Sequence, residues 1–423
     1  MLIRAVYTLL LALAAPLLLF NLYKSKPNKP KFGSRWKEHF GLTPKLNSKQ
    51  PPIWIHAVSV GESIAAVPLI KELKKQQPEQ PIVVTTTTST GAQQIEKLGD
   101  LVEHRYMPID FAFAIRGFIN TVQPKEMLII ETELWPNTLH FVHKSGIPIT
   151  IVNARLSEKS YKNYLKIQAL FNLLHTKITK LLCQTESDAT RFRNLGVAKE
   201  KITVTGSIKF DIEISNEVKV EGKALREKLG IARPVWIAAS THKGEDEQVL
   251  EAHKQVLESH PDALLALVPR HPERFDNVFE LCEKLGFETA RRTTQDSKLD
   301  TSTQVYLADT MGELLVIIAA ADLCFVGGSL VGDRVGGHNV LEPVSLGVPV
   351  INGDSYFNFS YIVETLLSKN AIQIVSSSQE LRDAINELLS NKELRPRLKA
   401  SYNEFLQNEL GSISKTIQAI NEK

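Results

Sequence analysis

At 423 residues the chain is too long for one typical hydrophobic core, and two domains of roughly 150–200 residues each are expected. An apolar fraction of 43% and an aromatic fraction of 7%, with no low-complexity tract, exclude long disorder. A formal net charge of +3 excludes a nucleic-acid binder working through overall charge, so any cationic function rests on local clusters.

Residues 5–22 carry no charge, are rich in Leu and Ala, and are long enough to cross a bilayer. Phe20, Asn21, Leu22, Tyr23 and Lys24 offer no small-x-small cleavage site, so residues 1–24 read as a retained anchor rather than a signal peptide. Lys24, Lys26, Lys29, Lys31, Arg35 and Lys37 follow it, against Arg4 alone before it. The positive-inside bias then puts the body in the cytoplasm. The same cations read equally well as a solvated linker or as a patch drawn to anionic headgroups. Cys183, Cys282 and Cys324 are widely separated with no C-x-x-C, which argues against a disulfide framework and against a zinc site.

Beyond the anchor, short β-branched apolar runs at 52–58, 81–88, 127–133, 148–154, 180–185 and 202–207 alternate with helix-length amphipathic stretches. Runs so uniformly apolar suit parallel strands covered on both faces. A polar stretch follows, and a second series begins with runs at 234–240, 263–270, 304–309, 322–329, 349–354 and 371–377. The pattern predicts an α/β chain with two doubly wound, Rossmann-like domains, 25–210 and 223–395, a linker at 211–222 and a C-terminal helix over 396–423 that could cross back. Ligands of such sheets bind beyond the strand C-termini, and a cleft between the two domains is expected there.

Candidate residues fall at those ends. Glu62, in the turn after the first run, is either a dipole-complementing carboxylate in a first helical turn or a general base; alone it favours the former. The run Thr85 to Gly91 could bind an anion or cap a helix. Glu131 and Glu133 stand beside Trp135, and i, i+2 spacing on a strand would give them one face. Arg155, after Asn153, would suit phosphate. Lys209, at the expected hinge, could hold a carboxylate or a leaving phosphate, though a lone lysine is more often surface. In the second domain a small hydroxyl-rich turn precedes His242, Lys243 and Glu245, and Pro269, Arg270, His271 and Pro272 form a prolyl turn. Met311, Gly312 and Glu313 open a helix, and Gly327 and Gly328 precede Gly336, Gly337, His338, Asn339, Val340, Leu341 and Glu342. There glycines allow close backbone approach, Asn339 and a helix start could receive a phosphate, and Glu342 suits a ribose diol.

Taken in order, the segments from His56 to Glu62, Glu131 to Asn137, Asn153 to Ser157, Gly206 to Asp211, Pro269 to Arg274 and Gly336 to Pro343 resemble the 3-deoxy-D-manno-octulosonic acid (Kdo) transferases over nearly the whole chain. That resemblance implies the GT-B fold and inverting transfer of Kdo from CMP-Kdo to the lipid A precursor in lipopolysaccharide synthesis at the inner membrane of Gram-negative bacteria. It implies Glu62 as general base and Glu131 and Lys209 as transition-state stabilisers. Around CMP it places Pro269, Arg270, Met311, Gly312, Glu313, Asn339, Val340, Leu341 and Glu342. The sequence departs from the family pattern at Val331 to Val335, where a shorter, proline-containing link is usual, and at Lys243, where an acid is usual. With no D-x-D near the donor residues, no metal and no cofactor are expected; the implied partners are CMP-Kdo, the lipid acceptor and membrane lipids, not nucleic acid. Competing readings are a GT-B transferase or epimerase for another nucleotide sugar, and a non-catalytic membrane-tethered binding protein.

Overall fold

The computed structural model describes residues 2–24, 30–211, 214–294, 299–391 and 393–422; Lys26 and Lys29 of the basic flank lie outside them. The chain divides into two compact units, 1–211 with 409–423, and 212–408.

The first unit is built on β1 (Ile53–His56), β2 (Ile82–Thr86), β3 (Glu103–Tyr106), β4 (Glu126–Ile130), β5 (Ile149–Ala154), β6 (Lys180–Cys183) and β7 (Ile202–Val204), ordered β3-β2-β1-β4-β5-β6-β7 and parallel throughout. Successive side chains on a strand point to opposite faces. Trp54, Met127, Ile129 and Ile151 therefore join one core with Phe118 and Leu139. Ile53, Ile55, Leu128, Ile130 and Val152 join another with Leu69, Ile70 and Ile413. Helices cover both faces, which is why the strands read as unbroken apolar runs.

The second unit repeats the design with β8 (Val235–Thr241), β9 (Leu264–Pro269), β10 (Thr289–Arg291), β11 (Val305–Leu307), β12 (Leu323–Val326), β13 (Val350–Gly353) and β14 (Gln373–Val375), ordered β10-β11-β9-β8-β12-β13-β14. The two doubly wound sheets bear out the expected α/β class. Strand order reverses between β1 and β4 in one sheet and between β8 and β12 in the other, the switch points where open α/β sheets take ligands. Two strands had no counterpart among the apolar runs, β3 and β10. Each is the outermost strand of its sheet and carries polar side chains, which an edge tolerates. In β3, Arg105 pairs with Glu103 at 2.8 Å and His104 meets the Thr86 hydroxyl at 2.9 Å.

Among the described residues, the helix Leu2–Tyr23, of mean hydropathy 2.1, is the one long and apolar enough to cross a membrane. It packs against the helices Pro136–Lys144 and Gln168–His175. Arg4, Tyr7, Thr8, Leu11, Ala15, Leu19 and Leu22, at helical spacing, are half-buried on that side, while Leu9, Leu10, Leu13, Leu17 and Leu18 are exposed. Polar contacts fix the docking: the Asn137 amide donates to the Thr8 hydroxyl at 3.0 Å, and the Arg4 guanidinium lies 5.2 Å from the Phe141 ring centroid. Arg35, of the basic flank, is engaged within the first unit. Its guanidinium is tied to Glu38 at 2.8 Å and sits over the Tyr106 ring.

Residues 216–222 of the expected linker 211–222 lie in a helix of the second unit, Asn216–Leu229, which Ser215 caps and in which Gly222 packs closely on Ala319. The expected single C-terminal helix is two, Leu394–Glu409 and Ser412–Asn421. Between them Gly411 takes a left-handed φ of +85°, and Asp211 accepts from the Gly411 and Ile413 amides at 2.8 and 2.5 Å. The last helix thereby returns to the first unit, burying Ile413 and Ile417 against Leu69 and Ile70.

Candidate active site

Glu62 opens the helix Val60–Gln76 directly after β1. Ser59 caps that helix through the Glu62 amide, and Glu62 reaches back to accept from the Val58 amide at 2.6 Å and the Ser59 hydroxyl at 2.9 Å, a variant of the capping box. The dipole-complementing arrangement is therefore present, and it fixes the carboxylate's direction. Glu62 is also buried, and burial is the largest influence raising its pKa above the ordinary glutamate range, with the charges on Glu133 and Glu131 adding to it against those two donors.

Glu131 and Glu133 are not paired by strand alternation. β4 ends at Ile130, and Glu131 takes a left-handed φ of +63°, a conformation a non-glycine side chain adopts at a cost of about 1–3 kcal/mol. The turn aims the Glu131 carboxylate at Lys209, whose ammonium lies 2.6 Å away. Asn153, also left-handed at φ +60° and fully buried, accepts from the Ile208 amide at 3.2 Å and so holds the segment that carries Lys209. Glu133 accepts from the Trp135 indole at 3.0 Å; its pKa is raised first by burial, and the Glu131 charge adds to this. Glu62, Glu131, Glu133 and Lys209 thus form one electrostatic group, with three acids and a single cation. Arg155 is exposed, and its backbone rather than its guanidinium engages Thr132.

In the second unit Pro269 ends β9, and Arg270 donates its backbone amide to Thr241 at 3.0 Å, leaving its side chain exposed. The Asn339 side chain accepts from the Leu341 amide at 3.1 Å where the helix Leu341–Leu346 begins, and burial raises the Glu342 pKa against the opposing influence of the Asn339 hydrogen bond and the Arg270 charge. Pro269 and Arg270, at the end of β9, and Asn339, Val340, Leu341 and Glu342, beyond β12, therefore stand on either side of β8 at the C-terminal edge of the sheet. Met311, Gly312 and Glu313 follow β11 instead. The Glu313 carboxylate is held by Arg292 at 2.5 and 2.7 Å, an ion pair that outweighs its partial burial and lowers its pKa. The atypical segment Val331 to Val335 contains a 3-10 turn, Gly332–Arg334, and is pinned where Asn358 donates to the Val335 carbonyl at 2.6 Å.

Three features lay beyond the sequence reading. Asp110 is buried and caps the helix Pro136–Lys144 from outside, accepting from the Asn137 amide at 3.0 Å and from the Thr138 amide and hydroxyl at 2.6 Å each. Glu245 is fully buried and accepts from four amides, those of His242, Gly328, Ser329 and Leu330, at 2.7–3.1 Å. It clamps the loop after β8 to the loop after β12. A side chain at Gly327 would clash with that carboxylate at 2.8 Å, which explains the glycine. The clamp brings His242 and His338 together, Nε2 to Nε2, at 2.8 Å. A reciprocal arrangement across two loops leaves no spacing signal in a sequence.

A family model described as 3-Deoxy-D-manno-octulosonic-acid transferase (kdotransferase) matches residues 34–212, and one described as Glycosyl transferases group 1 matches residues 236–404. A 3-deoxy-D-manno-octulosonic acid transferase of Haemophilus influenzae is 40% identical over 420 residues, covering 99% of this chain and 98% of that protein. One of Bordetella pertussis is 32% identical over 440 residues, covering 99% of each. A solved UDP-GlcNAc 2-epimerase of Neisseria meningitidis, 14% identical, matches 87% of this chain and 98% of its own with a TM-score of 0.57, a likeness of fold. The end-to-end identity and the family model over the unit that holds Glu62, Glu131 and Lys209 agree: this chain belongs to the 3-deoxy-D-manno-octulosonic acid transferase family.

Proposed function

We propose that this chain is an inverting glycosyltransferase that moves Kdo from CMP-Kdo to the lipid A precursor in lipopolysaccharide synthesis. The observation that carries this reading is the Glu131–Lys209 ion pair grouped with the buried Glu62 at the switch point of the first sheet, in a chain of this family. Glu62 takes the proton from an acceptor hydroxyl. The oxygen forms a bond to the anomeric carbon while the bond from that carbon to the CMP phosphate oxygen breaks, and CMP leaves with the electron pair. A base with a raised pKa suits that role, because it binds the proton more strongly at neutral pH. Lys209, held by Glu131, supplies the positive charge that the donor carboxylate and the leaving group call for.

In the same reading the second unit holds the donor. Arg270 meets the phosphate, Glu342 the ribose, and Pro269, Met311, Gly312, Glu313, Asn339, Val340 and Leu341 complete the CMP site. Arg270 and the helix start at Leu341 supply the charge that a metal would otherwise bring. The first unit takes the acceptor, and the exposed leucines of the helix Leu2–Tyr23 suit burial in the inner membrane, with the body on the cytoplasmic side.

Incubating the full chain in detergent with CMP-Kdo and lipid IVA, followed by mass spectrometry, tests this. The expected product is the acceptor carrying one or more Kdo residues. Consumption of CMP-Kdo with no glycosylated lipid, or no consumption at all, contradicts the reading.

A further inference from the structure

At the switch point of the second sheet, β8 leads to His242 and the segment after β12 leads to His338, the place where the fold takes ligands. The two rings lie end to end and nearly coplanar, with centroids 5.1 Å apart and planes 16° apart, and their Nε2 atoms are hydrogen-bonded at 2.8 Å. His271, next to Arg270, stands edge-on to His242 at 5.3 Å. We propose that the His242–His338 pair, with His271 and Arg270, is the seat of the donor's phosphate, and that filling it draws one proton onto the pair. This deepens, and rests on, the assignment of CMP to the second unit.

The proton count follows from the bond. An Nε2-to-Nε2 contact holds one proton, so in the neutral pair one ring donates from Nε2 and the other accepts. The donating ring can take a further proton on its Nδ1 and keep the bond as an imidazolium donating to an imidazole. A second added proton would leave two donors facing each other. The pair can therefore hold zero or one positive charge.

Its surroundings set it to zero when no anion is present. Burial first, then the charges of His271, Arg274 and Arg270 around His242 and of His242, Arg270 and His271 around His338, hold the two pKa values at about 4 and about 3. Three carboxylates on the adjoining loops are committed elsewhere. Glu245 is taken by four amides, Asp246 by Thr241 and Arg274, and Glu342 by Asn339 and the field of Arg270. A phosphate bound beside Arg270 offsets that field and favours the imidazolium.

Titration calorimetry of the full chain with CMP between about pH 7 and 8, where the free phosphate is mostly doubly ionised, in buffers of different ionisation enthalpy reads the proton directly. Net proton uptake on CMP binding is expected, growing as the pH is lowered across that range, with none for cytidine. His242→Gln and His338→Gln, checked for an unchanged thermal midpoint, should each abolish the uptake and weaken CMP about tenfold or more. If CMP binds the parent without proton uptake, or uptake and affinity survive in both variants, the pair is not the phosphate seat although CMP still belongs to this unit. If the parent binds neither CMP nor cytidine, the donor assignment itself fails, and this inference with it.

Discussion

Lys209 lies 2.6 Å from the Glu131 carboxylate, although one follows β7 and the other β4 and both depend on a left-handed residue, Glu131 itself and Asn153, to reach each other. Both side chains are about one-third exposed, so as a surface ion pair it contributes about 0–1 kcal/mol to stability. So small a contribution does not by itself offset the backbone strain at Glu131. Lys209→Met should leave the thermal midpoint nearly unchanged and lower kcat by about 100-fold, the size of a lost charge-stabilising contact. A large fall in midpoint with kcat preserved would assign the pair to the fold.

The three clustered acids predict a pH dependence. Burial, followed by the charges on Glu133 and Glu131, raises the Glu62 pKa, and a base works only when deprotonated, so activity should be lost as pH falls through that raised value. Glu133→Gln removes one of the like charges and lowers the Glu62 pKa. The acid limb of the kcat/KM profile should therefore move to lower pH, extending activity into more acidic buffers. A limb that stays in place, or moves upward, means that Glu62 does not set it.

Asp110 gives a stability prediction separate from catalysis. Asp110→Asn replaces an accepting oxygen with an NH2 group that faces N–H or O–H donors of Asn137 or Thr138. The expected cost is about 1–3 kcal/mol, a midpoint lowered by roughly 2–10 °C. Because Asn137 also donates to Thr8, amide exchange in the helix Leu2–Tyr23 should quicken as well. Unchanged exchange there would mean that the Asn137–Thr8 contact does not hold the helix.

Arg270→Ala should weaken CMP by about 1.5–3 kcal/mol, the worth of a charge-assisted contact, while the fold persists because the Arg270 side chain is exposed. Calorimetry measures this directly. The same assignment expects transfer to continue in excess EDTA, and a loss reversed by magnesium would overturn it.

How far the sequence reveals this molecule depends on the kind of contact. The buried strands announce themselves because both faces of Ile129 and Ile130 or of Cys324 and Phe325 are covered, whereas β3 and β10, being edges, carry Glu103, His104, Arg105 and Arg291 and do not. Glu62 and Glu131 are legible as carboxylates after strands. That Glu131 turns through a left-handed φ and pairs with Lys209 is not, because strand alternation stops at Ile130. His242 and His338 stand 96 residues apart and are joined by the amide clamp of Glu245, a relation between loops that no local pattern carries. The docking of the N-terminal helix is similarly hidden, since its apolarity outweighs the Arg4, Tyr7 and Thr8 stripe that touches the body.

Whether Glu62 acts as the base is read from kcat of Glu62→Gln at saturating CMP-Kdo, measured together with CMP affinity and the thermal midpoint. Gln keeps the shape and one accepting oxygen for the Val58 amide or Ser59 hydroxyl but cannot accept the acceptor's proton. A kcat lower by about 100- to 10,000-fold is expected, with CMP affinity within a few-fold of the parent. A stable Glu62→Gln protein with near-parental kcat would confine Glu62 to its helix-capping role and remove it from catalysis.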